Sequence, residues 1–256
     1  MNIIGNIDFY DFSFNGHLLS EYGGMVGGTE RLSTYPLLPQ RTYTTERAIG
    51  QDGQTVFDSY LEPRQFEVPV FFENIDYAGI RNIAGWLNVS DAVPFYFVND
   101  TLKINCVLDS SGTALETISG PNGQTSLKFI AHDPFYYEIM PESYEFNVSD
   151  SDLTETIELT NLGNVECYPQ ITIRGTGEIS VSVLDNTGLE LTKCTITDVT
   201  TNLILDSAYH TCITATGANL YSTFSGSFPI IPTGDYKIQV DGDVSKIVIV
   251  PNHRWI

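Results

Sequence analysis

Positive charge is scarce in this chain. Its 256 residues hold 12 Lys and Arg against 32 Asp and Glu, a formal charge of −20. The deficit is even: residues 1–140 hold 7 basic and 17 acidic side chains, and residues 141–256 hold 5 and 15. Gripping nucleic acid needs a basic face, and anionic lipid attracts basic clusters, so the composition argues against both. It suits solubility, and a surface past which nucleic acid slides without sticking. Histidine is also sparse. His17, His132, His210 and His253 are scattered, whereas zinc needs three or four converging ligands. Only His210 lies near a cysteine, Cys212, and the two read as strand residues. The four cysteines, Cys106, Cys167, Cys194 and Cys212, show no Cys-x-x-Cys spacing and are expected to stay reduced. No run of about 18 apolar residues exists, which excludes a membrane-spanning helix. Met1 to Phe12 lacks a basic segment followed by an apolar one, so no signal peptide is expected. No Gly-x-Ser-x-Gly elbow and no phosphate loop is present. Glycoside hydrolysis needs two facing carboxylates, but with 32 acids acidity singles out none. The expectation is a chain without enzymatic activity, metal or cofactor.

What is present is strand periodicity. Phe66, Val68, Val70 and Phe72 form one face of a strand, and Pro69 within it suggests a sheet edge. Cys106 alternates in phase with Leu102, Ile104 and Leu108, which marks a core thiol. Asn122-Gly123 reads as a hairpin turn. One helix is predicted, with Tyr77, Ile80, Ile83, Ala84 and Leu87 on its apolar face and Asn74 or Asp76 as cap. Gly79 and Gly85 weaken it, so it must lean on a sheet. Residues 31–53 differ from their surroundings. They are rich in Thr, Tyr, Pro and Arg, include Arg31, Arg41 and Arg47, and show no steady core face. They read as a projecting hairpin or arm, a feature that usually exists to touch something else.

Leu127, Phe129 and Ala131 alternate with polar or outward residues until Asp133-Pro134, which Phe135, Tyr136 and Tyr137 follow at once. Proline removes a donor and fixes φ, so regular pairing should stop there. The break divides the chain into domains 1–140 and 141–256. The second has short strands and frequent turns: Asn161-Leu162-Gly163-Asn164, Gly175-Thr176-Gly177 and Asp185-Asn186-Thr187-Gly188. Tyr236, Ile238 and Val240 lead through Asp241-Gly242-Asp243 to Val244–Val250, which suggests a closing hairpin. This is the pattern of a β-sandwich. Tyr209, Tyr221, Phe224 and Trp255 are aromatics that a saccharide-binding sandwich face would use.

In order along the chain, several segments resemble one family. Phe12-Ser13-Phe14-Asn15-Gly16 with Ser20-Glu21-Tyr22-Gly23 resembles the opening of the distal tail proteins of long-tailed bacteriophages that infect Gram-positive bacteria. Gly50-Gln51-Asp52-Gly53 fits their Gly-x-Asp-Gly turn, and Asp133-Pro134-Phe135-Tyr136-Tyr137 fits their Asp-Pro-aromatic junction. Asn161-Leu162-Gly163, then Tyr168 to Ile173 and Gly175, resembles the entry to their second domain. Gly226-Ser227-Phe228-Pro229 with Pro232-Thr233-Gly234 resembles the closing turn, although Asp235 stands where many relatives have Asn.

The resemblance implies a mainly β chain. Residues 1–140 would be a tail-tube-type domain with one helix, assembling into a hexameric ring. A hairpin arm would belt neighbouring subunits, with Tyr35, Pro36, Arg41 and Tyr43 in the contact. Residues 141–256 would be a sandwich of galectin-like or carbohydrate-binding-module type. Asp133, Pro134, Phe135, Tyr136 and Tyr137 would form the hinge. The implied partners are other copies of the chain, the tail tube protein, a tail-associated or baseplate hub protein, and a receptor-binding protein, with DNA only as passing cargo and no membrane. The implied location is the virion tail tip, after assembly in the bacterial cytoplasm. An alternative keeps the sandwich as a module for host cell-wall saccharide, with Tyr209, Tyr221 and Phe224 as contacts.

Overall fold

A computed structural model describes residues 11–27, 36–50, 52–111, 114–119, 121–148, 154–200 and 202–256. The chain forms two compact units, Met1–Tyr136 with Ile256, and Tyr137–Trp255. The passage between them falls inside a short strand, Tyr136–Glu138.

The first unit is built on an antiparallel sheet. Its strand order is His17–Leu18, Phe12–Phe14, Val93–Phe97, Leu102–Leu108, Asn122–Ala131, Arg64–Phe72 and Gly24–Val26. Strand Leu102–Leu108 changes partner along its length. Ile104 to Cys106 pair with Val93 to Phe95, whereas Val107 and Leu108 pair with Ile130 and Phe129. One core therefore collects side chains from both parts of the sheet. Phe12, Phe14, Phe66, Phe95, Phe97 and Phe129 are all buried. Phe95 lies 4.9 Å from both Phe12 and Phe129 between ring centroids. Such ring pairs add about 0.5–1.5 kcal/mol to what area burial supplies.

The helix spans Tyr77–Leu87, and the Asp76 carboxylate caps it by accepting from the Gly79 N–H at 2.7 Å. Its buried residues are Ile83, Trp86 and Leu87. Tyr77, placed on the apolar face by spacing, is 83% exposed. At 3.6 residues per turn it lies roughly 120° around the helix from Ile83. Trp86 takes the inward direction instead: its Nε1 donates to the Phe14 carbonyl at 2.8 Å, and its ring stacks on Tyr22 at 4.5 Å.

Two expectations for this unit need correction. Strand Arg64–Phe72 is not at a sheet edge; it has neighbours on both sides. Pro69 is tolerated because the ladder to Gly24–Val26 stops at the Val26–Val70 pair, and the Pro69 carbonyl accepts from Gly27 N at 2.9 Å. The missing N–H thus falls beyond the ladder's end. Asn122-Gly123 is not the turn itself. Both residues lie in strand Asn122–Ala131, at a register shift opposite Ser119 and Thr117.

The second unit hangs on two long strands, Gln170–Asp185 and Gly234–Val250, which pair with each other throughout. Both Gly175-Thr176-Gly177 and Asp241-Gly242-Asp243 lie inside them, so neither is a turn and the expected closing hairpin does not exist. They face one another at a double irregularity. Arg174 pairs with Lys246 but Gly175 with Val244, which leaves Ser245 as an extra residue. On the other strand, Thr176 pairs with Asp243 and Ser180 with Asp241. Gly242 has φ +131°, and the Glu178 carbonyl occupies the place where its Cβ would stand, so only glycine fits.

This irregularity divides the sheet into two halves. On one side, Gln170–Arg174 and Lys246–Val250 are flanked by Tyr144–Asn147 and Asn202–Asp206. On the other, Ile179–Leu184 and Tyr236–Asp241 are flanked by Thr154–Asn161 and Glu190–Val199. Ile171, Ile173, Leu205, Ile247 and Ile249 from the first half share one core with Ile179, Val181, Ile196, Ile238 and Val240 from the second. The halves therefore close on each other as a sandwich. Inward residues of Gly234–Val250 are even-numbered before the extra residue and odd-numbered after it. The Asp185 turn is as expected, with its Oδ1 accepting from Thr187 N at 2.8 Å and Leu189 N at 2.9 Å.

A buried polar knot closes this unit. Asn161, 3% exposed, donates through Nδ2 to Val165 O at 2.9 Å and Pro232 O at 3.0 Å. Its Oδ1 accepts from Gly163 N at 2.9 Å and lies 2.9 Å from His253 Nδ1. His253 is 1% exposed, and burial holds its pKa below the ordinary value, partly offset by Glu138 and Glu142. The Arg254 Nε donates to Glu166 O at 2.9 Å, and its guanidinium lies over the Tyr168 ring.

Candidate functional site

The hairpin arm is a two-stranded antiparallel sheet of its own, Arg41–Glu46 paired with Thr55–Leu61. Among the described residues its strands join no other sheet. The arm, expected over 31–53, runs from Arg41 to Leu61, residues 31–35 lying outside the described residues, and Gly50 and Gly53, both with positive φ, lie between its strands. Thr44 pairs with Asp58 and Thr45 with Val56, so Phe57 is an extra, bulged residue. It is 64% exposed, and Tyr43, Ile49, Val56 and Tyr60 are exposed with it. The pattern lacks a core face because, among the described residues, nothing of its own chain covers either face of this ribbon. A bulge that presents an aromatic on a ribbon without a core re-aims a side chain towards something else.

The arm's root is tied by a residue that periodicity did not single out. Glu62 N donates to Gln40 O at 2.7 Å and closes the base. Two residues on, Arg64 is 3% exposed. Its Nη1 donates to Pro36 O at 2.9 Å, its Nε to Pro134 O at 3.2 Å, and its guanidinium lies 4.9 Å from the Tyr136 ring centre. Burial raises the Tyr136 pKa, opposed by the Arg64 charge. The signal available in the sequence was an arginine in phase with the apolar face of Phe66, Val68, Val70 and Phe72.

Among the residues expected at a subunit contact, Pro36 is half-buried at the root, and Arg41 and Tyr43 are exposed on the arm. Tyr35 lies outside the described residues. In the Asp-Pro-aromatic element, Asp133 is exposed, Pro134 buried, and Phe135, Tyr136 and Tyr137 half-buried. Strand Asn122–Ala131 ends before it, and Asp133 Oδ1 accepts from Phe135 N at 3.4 Å.

In the second unit Tyr221 and Phe224 come together, with ring centres 5.9 Å apart. Phe228, missed by sequence reading, stacks on Phe224 at 4.5 Å, and His210 meets Phe228 edge-on at 5.3 Å. His210 has a positive φ and precedes strand Thr211–Thr214, so it is not a strand residue. The Tyr221 hydroxyl donates to its carbonyl. Tyr209 is exposed and shares no ring contact with this cluster among the described residues; Trp255 lies against His253.

All four cysteines are free and buried, and burial pushes Cys167 and Cys194 up to about 12 and Cys212 to about 11. Such thiols are inert nucleophiles. Among the described residues no group of three or more His, Cys, Asp or Glu is placed to hold a metal, and no helix is long and apolar enough to cross a membrane.

Residues 29–131 match the family model described as phage tail protein RIFT-related domain. The SPbeta prophage-derived uncharacterized protein YomH of Bacillus subtilis (strain 168) is 24% identical over 237 residues, covering 91% of this chain and 92% of that protein. Among solved structures, the Dit (gp 19.1) protein of phage SPP1 superposes with a TM-score of 0.73 at 14% identity, over 96% of this chain and 99% of that one. It is described as a paradigm of the hub adsorption apparatus in phages infecting Gram-positive bacteria. A chain of the phage p2 baseplate in its activated conformation gives a TM-score of 0.50 at 10% identity, over 94% of this chain and 96% of its own. Residues 29–131 thus resemble the phage tail RIFT-related domain, and over almost its whole length the chain shares the fold of the phage SPP1 Dit protein.

Proposed function

We propose that this chain is a structural virion protein without catalytic activity, which closes into a hexameric ring at the distal end of a phage tail tube. The ring joins the tube to the tail tip or baseplate hub and lets DNA pass. The observation that carries this reading is the arm. A two-stranded ribbon is marginal in water by itself, and open strand edges invite another chain. This one also bears Tyr43, Val56, Phe57 and Tyr60 uncovered. A neighbouring copy that receives the arm while extending its own makes a heterologous contact, the kind that closes rings. The count of six, the tail tube and hub partners, the docking of a receptor-binding protein on a galectin-like second unit, and the location at the virion tail tip follow the resemblance to distal tail proteins. The −20 charge suits a lumen that DNA traverses without sticking. Asp133 to Tyr137 serve as the hinge at which the assembly unit gives way to the outward-facing one.

Excising the arm tests this. Gln40 and Glu62 are already hydrogen-bonded, so residues 41–61 are replaceable by a short Gly-Ser link without straining the base. The expected product is a folded, soluble monomer by light scattering where the intact chain forms rings. Rings from the armless chain would refute the role assigned to the arm.

A second reading rests on the Tyr221, Phe224 and Phe228 cluster, partly open rings of the kind on which sugars stack. Binding of the intact chain to a host cell-wall glycan, lost in Tyr221→Ala, would add a recognition role. A glycan array without signal would leave the sandwich as a docking module alone.

A further inference from the structure

We infer that Arg64 is the positioning residue of the arm, coupling the arm's root to the last residues of the first unit so that the two stay ordered together. The inference rests on the proposed role of the arm in assembly. Arg64 is one of two buried basic residues among those described, the other being Arg254 in the second unit. Burying a guanidinium is costly unless its donors are met and its charge is compensated. Here the donors meet two main-chain carbonyls from segments far apart in sequence, Pro36 before the arm and Pro134 at the end of the unit. The Tyr136 ring lies against the guanidinium, whose buried Nη2 has no hydrogen-bond partner among the described residues. Both carbonyls belong to prolines, which have no N–H with which to hold their own position in a ladder. The backbone of Arg64 is meanwhile fixed in the sheet by its pairing with Ala131. One anchored side chain thus reaches both segments.

The rest of the root is loosely filled. An open cavity of about 430 Å³ lies there, walled by Pro36, Leu38, Gln40, Glu62 and Arg64 itself. Close packing therefore does not hold the two legs of the arm together at this level. Among the described residues the ties there are the Glu62–Gln40 hydrogen bond, the Thr42 hydroxyl donating to the Glu62 carboxylate at 2.6 Å, and the Arg64 bridge. Disturbance of Pro134 or Tyr136 reaches the arm through Arg64, and an arm seated on a neighbour orders Pro134 and Tyr136 by the same route.

Hydrogen exchange of the full-length chain tests the coupling. Tyr136→Leu keeps apolar bulk but removes the ring beneath the guanidinium. It is expected to speed exchange about tenfold at residues 37–41 as well as at 135–138, the scale of a lost charge-assisted contact. Arg64→Met is expected to speed both segments, and the double variant no more than Arg64→Met alone. Arg64→Lys, with one compact ammonium in place of the fork, should protect one segment and leave the other fast. Faster exchange confined to 135–138 in Tyr136→Leu, or additive effects in the double variant, would overturn the coupling. Trp86 emission reports whether Arg64→Met still folds; if it does not, Tyr136→Leu and Arg64→Lys decide. Light scattering on the same samples separates the two claims. Coupled exchange in an intact chain that forms no ring would sink the ring reading and leave Arg64 as the tie.

Discussion

Replacing Asn161 by Ala should destabilise the second unit far more than its small volume suggests. Four hydrogen-bonding groups converge on this amide: two carbonyls, Val165 O and Pro232 O, one N–H from Gly163, and the His253 ring. Alanine meets none of them. A buried polar group left without a partner costs about 1–3 kcal/mol, and water entering the vacated space recovers part of that for neighbours so close together. The expected loss is about 3–5 kcal/mol, a large share of the total stability of an ordinary domain. With a urea slope of roughly 2 kcal/mol per molar for a unit of this size, the midpoint should fall by roughly 2 M. The two tryptophans make the assay selective, since Trp86 belongs to the first unit and Trp255 to the second. In a Trp86→Phe background, emission from Trp255 follows the second unit by itself. Asn161→Asp sharpens the test. It keeps an acceptor for Gly163 and His253 but turns a carboxylate towards two carbonyls, so it should cost at least as much and should raise the His253 pKa. A loss below about 1 kcal/mol for Asn161→Ala would show that the knot is not holding the unit together.

Two further outcomes are expected. The folded-state pKa of His253 lies below its ordinary value of 6.5, because burial opposes the charged ring. The unfolded chain therefore takes up this proton first; the stability is present above pH 6.5 and lost as the pH falls from there through the lowered folded value. Urea midpoints followed through Trp255 should show that decline, and His253→Gln should flatten it; an unchanged slope would place the proton elsewhere. In the first unit, Phe129→Ala removes a ring packed against Phe12, Phe14, Phe66 and Phe95. It should cost about 3–5 kcal/mol, seen in Trp86 emission, and a shift in Trp255 of the same size would mean that the units do not unfold separately.

Much of the fold was legible because its signals are local. The helix was readable from Ile83 and Leu87 behind the Asp76 cap, although Tyr77, Ile80 and Ala84 of the expected apolar face are exposed, and the core strands from Phe66–Phe72 and Leu127–Ala131. The arm was visible as a stretch without a core face, for the good reason that it covers none. What misled was turn chemistry inside strands. Gly175-Thr176-Gly177 and Asp241-Gly242-Asp243 have the residues of hairpin turns, yet glycine serves equally at a bulge where another backbone comes close. Only the partner strand distinguishes the two, and the partner lies some 65 residues away along the chain. Arg64 escaped notice for a similar reason. Its acceptors are the main-chain oxygens of Pro36 and Pro134, and no side-chain pattern marks a carbonyl. Phe228 was read only as part of the closing turn, whereas its stacking on Phe224 follows from the fold.

Ser245 gives the second unit something like a reading frame. Upstream of it the inward letters of the strand are Tyr236, Ile238 and Val240; downstream they are Ile247 and Ile249. One added residue changes the phase, and that change is what lets a single continuous strand serve two facing layers. Deleting Ser245 would therefore be a frameshift in three dimensions. The chemistry of every other residue would be unchanged, but one layer would be translated outside in, with Ile247 and Ile249 facing water and Lys246 facing the core. Substitutions at this position are harmless by comparison, because the fold reads the count of residues here and not the identity of the side chain.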